Sequence, residues 1–123
     1  MALCITLGEL IHQLASKYKD RPAITMAASG ETLSYQEFDT LINRIGHGLL
    51  KLSKLKSTYV GIMHENDLYY LALTYALKKI NKIEVSINRA FKGPSLSRMI
   101  NLTECDIMTV SYTHLTLPTI YSV

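Results

Sequence analysis

From residue 58 onward, short apolar runs alternate with helix-length segments, and this alternation constrains the fold more than any other feature. Tyr59 to Met63, Lys82 to Ile87 and Ile107 to Val110 read as strands. Between the first two, a helix capped by Asn66 or Asp67 runs to about Ile80, with apolar residues around much of its circumference. That pattern predicts a largely buried helix. Gly93-Pro94-Ser95 turns into a second helix over Leu96 to Leu102. Strands separated by helices of this length pair in parallel through right-handed crossovers. The expected fold class is therefore α/β, with a three-stranded parallel sheet flanked by helices.

The preceding residues add a helix, a hairpin and a second helix. Thr6-Leu7-Gly8-Glu9 and Ser34-Tyr35-Gln36-Glu37 both have capping-box spacing, in which hydroxyl and carboxylate satisfy the orphan N–H groups of a helix start. The first box opens a stripe at Leu7, Leu10, Ile11, Leu14, Ala15 and Tyr18, ended by Asp20-Arg21-Pro22. The second opens a helix to about Leu52, with Phe38, Leu41, Ile42, Ile45, Leu49 and Leu52 on one face. Between them, Ala23 to Met26 and Thr32-Leu33 read as a short β-hairpin turning at Gly30. Gly46 and Gly48 each cost the second helix roughly 1 kcal/mol relative to Ala. Their expected use is close approach of another backbone.

Composition sets outer limits. The 123 residues carry a formal net charge of +3, too mild to imply a nucleic-acid partner. Basic residues gather between Arg44 and Lys92, where solvated helix faces are the expectation. No run of about 18 apolar residues indicates a transmembrane segment. Met1 to Thr6 lacks the basic and apolar regions of a secretory signal. Cys4 and Cys105 fit no metal-ligand spacing and read as free thiols of a reducing, cytoplasmic setting. Ser111 to Val123 contains no Asp, Glu, Lys or Arg, continues no strand–helix rhythm and includes Pro118, so no regular structure is expected there.

Few residues suggest chemistry. No phosphate-binding glycine loop, zinc motif or nucleophile elbow is present. Gly46-His47-Gly48 lies inside an amphipathic helix, where it cradles no phosphate. His64-Glu65-Asn66-Asp67 follows the first parallel strand, and Asn88-Arg89 follows the second, which puts both at the sheet edge where ligands gather. A histidine beside carboxylates suits a base or a metal ligand, and Arg89 suits an anion. The competing reading makes His64 and Glu65 loop residues, Asn66 or Asp67 a helix cap, and Arg89 a surface charge. His12 and His47 read as solvated or satisfied. Met63, Met99 and Met108 read as core, and Lys78, Lys79 and Lys82 as a solvated helix end.

Several strings, taken in order, are similar to one family. Asp20-Arg21-Pro22-Ala23-Ile24 resembles "D-R-P-A", and Thr32 to Phe38 resembles "x-L-T-Y-x-E-L". Asn43-Arg44 with Gly48-Leu49 resembles "N-R-x-A-x-x-L", and Val60 to Met63 with Asn66 resembles "V-A-I-x-x-x-N". Ile83 to Asn88 with Ala90 to Gly93 resembles "A-V-E-V-P-I-N-x-A-Y-K-G". Residues 6–110 thus resemble the N-terminal part of the AMP-forming acyl-CoA synthetases, the adenylate-forming ligases, with the last string nearest the crotonobetaine/carnitine-CoA ligase-like branch. Ser86 stands where that string carries proline, and Asn81-Lys82 where Gly-Ala is usual.

The resemblance implies a parent enzyme in which a small carboxylic acid attacks ATP to give an acyl-adenylate, and coenzyme A then displaces AMP. ATP, Mg2+ and coenzyme A belong to that parent, and this chain's partner is the remainder of the ligase chain. No residue here matches a family catalytic, cofactor-binding or metal-binding motif, so the chain alone is expected to be an inactive scaffold. Residues 1–110 are expected to be the truncated N-terminal part of an AMP-binding domain. Residues 111–123 resemble the ends of truncated reading frames and are expected to be a non-native tail. The isolated chain, cut beside Ile107 to Val110, is expected to be marginal and association-prone. The alternative is a stand-alone α/β binding module.

Overall fold

The computed structural model describes residues 5–52, 58–105, 107–110 and 119–122. Cys4, Lys54, Lys56 and residues 111–118, including Pro118, lie outside the described residues. Both capping boxes form. Thr6 Oγ1 accepts from the Glu9 N–H at 3.1 Å while the Thr6 N–H donates to Glu9 Oε2 at 3.0 Å, opening α1 (Leu7–Tyr18). Ser34 and Glu37 repeat the exchange at 3.1 Å in both directions, opening α2 (Tyr35–Leu50). Between the helices, β1 (Pro22–Thr25) and β2 (Thr32–Ser34) form the antiparallel hairpin, and Gly30 takes the positive φ of 75° that the turn requires.

The parallel unit follows: β3 (Tyr59–Met63), α3 (Leu68–Lys79), β4 (Ile83–Ser86), α4 (Gly93–Thr103) and β5 (Ile107–Val110). β3 lies between β4 and β5 and is parallel to both. α4 starts at Gly93, earlier than the turn signal suggests, because proline is tolerated in a helix's first turn, where its missing N–H has no partner to lose. A sixth strand, β6 (Thr119–Ser122), pairs antiparallel with β5 and completes the order β4-β3-β5-β6. Two expectations are corrected here. The C-terminal stretch does contain regular structure, and the outer edge of β5 is covered rather than exposed. The charge-free sequence concealed this because a fourth strand needs only a neighbouring ladder, not its own amphipathic signal.

Alternation along β3 sends its side chains to two faces. Val60 and Ile62 pack with Leu49 of α2 and Leu73 and Leu77 of α3. Met63 packs on the other face with Met108, Ile87 and the α4 residues Leu96 and Ile100. A parallel sheet needs cover on both sides, and α4 supplies the second. Met99 is half-buried on α4, short of the core position expected, because α4 buries no residue fully. A second cluster joins Ile11 of α1, Phe38 and Ile42 of α2, and Ala72 and Ala76 of α3. α3 is therefore the central helix, as its all-round apolar pattern predicts, and only Leu71 is exposed on it.

Close approach explains one of the two α2 glycines. A Cβ on Gly46 would lie 3.4 Å from Ile80 Cγ2 and 3.9 Å from the Ala76 carbonyl oxygen, so α3 passes closely there. Gly48 faces open space, which corrects the expectation for that position. The tightest helix contact is at Gly8, where a Cβ would meet Lys79 Cγ at 2.8 Å and Lys79 Cα at 3.1 Å. The start of α1 therefore seats directly on the end of α3.

Candidate functional site

The two polar strings expected at the sheet's carboxyl edge do meet. Arg89, after β4, reaches Glu65, after β3, at 2.8 Å. Asp67 caps α3, its Oδ1 accepting the Tyr70 N–H at 2.8 Å, which selects Asp67 over Asn66 as the cap. Asn88 Oδ1 accepts the Ala90 N–H at 2.8 Å, closing the loop after β4. Tyr70 and Ser86 share a hydroxyl–hydroxyl bond of 2.8 Å across the cleft. Tyr70, Ser86, Asn88 and Arg89, together with Ile62, His64 and Ile87, line an open depression of about 380 Å³.

His64 lies in the loop after β3, as the competing reading has it, but it is buried. It is only 6% exposed, and neither ring nitrogen has a hydrogen-bond partner among the described residues. The ring stands edge-on to Tyr70, with centroids 6.4 Å apart. Burial pushes the imidazole below its ordinary pKa, while the Asp67 carboxylate opposes that shift. The neutral form is the one the fold holds. Its position directly after β3 hid this, since a polar residue after a strand usually marks the surface. The run Val60 to Met63, buried on both faces, was the available signal that the next residue would be buried too.

A second polar cluster lies on the helical side and was not legible in the sequence. Asp39 of α2 is buried and receives Lys79 Nζ at 2.5 Å, with His12 Nδ1 at 3.5 Å. Lys79 also donates to Asn43 Oδ1 at 2.8 Å. Lys79 is thus a tie between α2 and α3, not part of a solvated helix end, which corrects that expectation. Its aliphatic stem lies against Gly8 while its ammonium reaches Asp39 and Asn43. Lys78 pairs with Glu84 at 3.5 Å, and Glu84 also accepts from Thr74 at 2.8 Å. His12 and His47 are exposed as expected. The nearby depression of about 530 Å³ between α1 and the end of α3 is lined by Glu9, His12, Lys78 and Lys79 among others.

Most of these groups are occupied in holding the fold. Asp67 neutralises a helix start, Arg89 and Glu65 fasten two loops, and Asp39 and Lys79 fasten two helices. Among the described residues, no group of three His, Cys, Asp or Glu side chains is placed to hold a metal ion. No helix among them is long and apolar enough to cross a membrane.

The fold is one layer-covered portion of a larger α/β architecture, and comparison with known proteins identifies which. The family model described as AMP-binding enzyme matches residues 11–120. The chain belongs to that family. The acyl-CoA ligase sidI of Aspergillus fumigatus is 26% identical over 106 residues, covering 86% of this chain and 18% of that protein. The mitochondrial medium-chain acyl-CoA ligase ACSF2 of Mus musculus is 22% identical over 100 residues, 81% of this chain and 16% of that one. The crystal structure of a long-chain-fatty-acid-CoA ligase, FadD1, from Archaeoglobus fulgidus superposes with a TM-score of 0.81 at 23% identity, covering 89% of this chain and 23% of that one. The N-terminal domain of FACL13 from Mycobacterium tuberculosis gives 0.79 at 20% identity, covering 87% and 27%. These structures share the fold. The chain spans less than a fifth of the length of the curated relatives named here.

Proposed function

We propose that this chain is the N-terminal scaffold of an ATP-dependent carboxylate–CoA ligase and does not adenylate by itself. The family match over residues 11–120 carries the reading. In the longer parent, a carboxylic acid is activated as its adenylate and passed to coenzyme A. ATP, Mg2+ and coenzyme A belong to that reaction, but the residues described here do not fit them. Triphosphate chemistry needs converging cations and backbone donors and an acidic metal ligand. Here Arg89 is neutralised by Glu65, Lys79 by Asp39, and Asp67 is spent on the start of α3.

What the segment supplies is a sheet covered on both faces, with loops fastened at its carboxyl edge. The finer assignment to the crotonobetaine/carnitine-CoA ligase-like branch rests on the string Ile83 to Gly93 alone. In this reading residues 1–110 are the native part of the domain and 111–123 a tail of other origin. The charge-free sequence supports that boundary, while the family match to residue 120 and the pairing of β6 oppose it. Sequencing the DNA downstream tests both points. A frame continuing into a Ser/Thr/Gly-rich phosphate loop is expected, and a native stop codon preceded by this same tail would overturn the scaffold reading.

A further inference from the structure

β4 leaves one edge of the sheet able to take a further strand. β4 ends the sheet order, and among the described residues its outer side has no strand neighbour. The Ile83 N–H donates to the Thr58 carbonyl and the Ile87 N–H to the Ile62 carbonyl, both at 2.8 Å. Alternation along a strand then turns the N–H and C=O groups of Glu84 and Ser86 to the open side. β4 is short, at four residues, and carries Glu84, but two of the usual edge protections are missing: it contains no proline, and its register with β3 runs without a bulge. Ile83 is 50% exposed beside Tyr59, which is 39% exposed, so the edge is also apolar at its start.

We propose that β4 pairs antiparallel with β4 of a second copy of this chain, about a twofold axis at Val85. This register sets Val85 opposite Val85 of the other copy. Ser86 falls opposite the partner's Glu84, and Ile83 opposite the partner's Ile87. Every outward N–H and C=O of Glu84 and Ser86 then finds an acceptor or donor in both copies. Exposed Ile83 gains an apolar neighbour on the face that Val85 shares with α4. Charge does not oppose the pairing. Glu84 is held toward α3 by Thr74 and Lys78, and the residue across from it is a neutral serine. A register centred on Glu84 would instead set two carboxylates face to face, which disfavours it. Because the contact uses the same edge on both copies, it closes as a dimer and does not propagate.

Sedimentation velocity of the 123-residue chain across micromolar concentrations tests this. A reversible monomer–dimer equilibrium is expected. Ser86→Pro removes an outward donor at the position where the resembled string carries proline, and it should shift the chain to monomer with an unchanged far-ultraviolet dichroism spectrum. Ser86→Ala keeps the donor while losing the hydroxyl, and should leave the dimer intact. Ile83→Lys places a charge opposite Ile87 on an already exposed position and should also give monomer, which covers the case that the proline variant misfolds. Three results overturn the proposal. One is a dimer indifferent to both Ser86→Pro and Ile83→Lys, and another is open-ended aggregation. The third is a monomer whose Glu84 and Ser86 amides resist hydrogen exchange, which would show that the chain's own segment covers the edge.

Discussion

Replacing His64 by phenylalanine separates two consequences of its burial. His64 is 6% exposed, with both ring nitrogens unpartnered among the described residues. Leaving a buried donor or acceptor unmade costs about 1–3 kcal/mol. Phenylalanine keeps the edge-on contact with Tyr70 and removes both polar atoms, while its extra volume costs about 1 kcal/mol in a packed site. The adjoining open depression gives the larger ring room. The net expectation at neutral pH is a gain of about 1 kcal/mol.

The pH dependence fixes the sign independently. Burial holds the folded-state pKa of His64 below its ordinary value of about 6.5, so the unfolded chain binds the proton more readily. Its contribution to stability is therefore complete well above 6.5. It is lost as pH falls from there toward the folded pKa, at up to about 1.4 kcal/mol per unit. The variant lacks this dependence, so its advantage over the parent should widen as the solution is acidified. Urea denaturation of both chains over this range measures it, with the m-value as a check that the denatured state is unchanged. A His64→Phe chain that is less stable at neutral pH, or whose stability runs parallel to the parent's on acidification, would refute the reasoning.

Other substitutions follow from single contacts and are read in the same assay. Gly8→Ala should destabilise by about 1–2 kcal/mol, because the new Cβ would lie 2.8 Å from Lys79 Cγ and 3.1 Å from its Cα, and backbone cannot yield cheaply. Gly48→Ala should stabilise by up to about 1 kcal/mol, since its Cβ meets open space and the helix gains propensity. Asp39→Ala leaves the Lys79 ammonium, whose side chain is only 17% exposed, with only the neutral Asn43 oxygen of its two described acceptors, and should cost about 2 kcal/mol, less than a fully buried pair. Asp67→Ala removes the cap of α3 and should cost about 1 kcal/mol.

Local signals made much of the fold legible. Capping boxes at Thr6 and Ser34 act within four residues, so their spacing alone placed the starts of α1 and α2. The all-round apolar pattern of α3 gave its central position. What escaped the sequence depends on distance along the chain. Asp39 and Lys79 lie on different helices, and nothing in either neighbourhood announces the other. β6 borrows its order from β5. At the candidate site, the meeting of the 64–67 and 88–89 strings followed from parallel topology. The burial of His64 did not, because it depends on how α3 sets Tyr70 against the ring. That most of the site's polar groups hold structure is a property of their partners, which spacing does not reveal.

The central claim is that these 123 residues hold scaffold without the means to activate a carboxylate. Pyrophosphate exchange into ATP, followed with the purified chain, Mg2+ and a panel of short, medium and long carboxylic acids, addresses it most directly. The account predicts counts no higher than the enzyme-free blank with every acid. Exchange that requires the acid and saturates with ATP would contradict it.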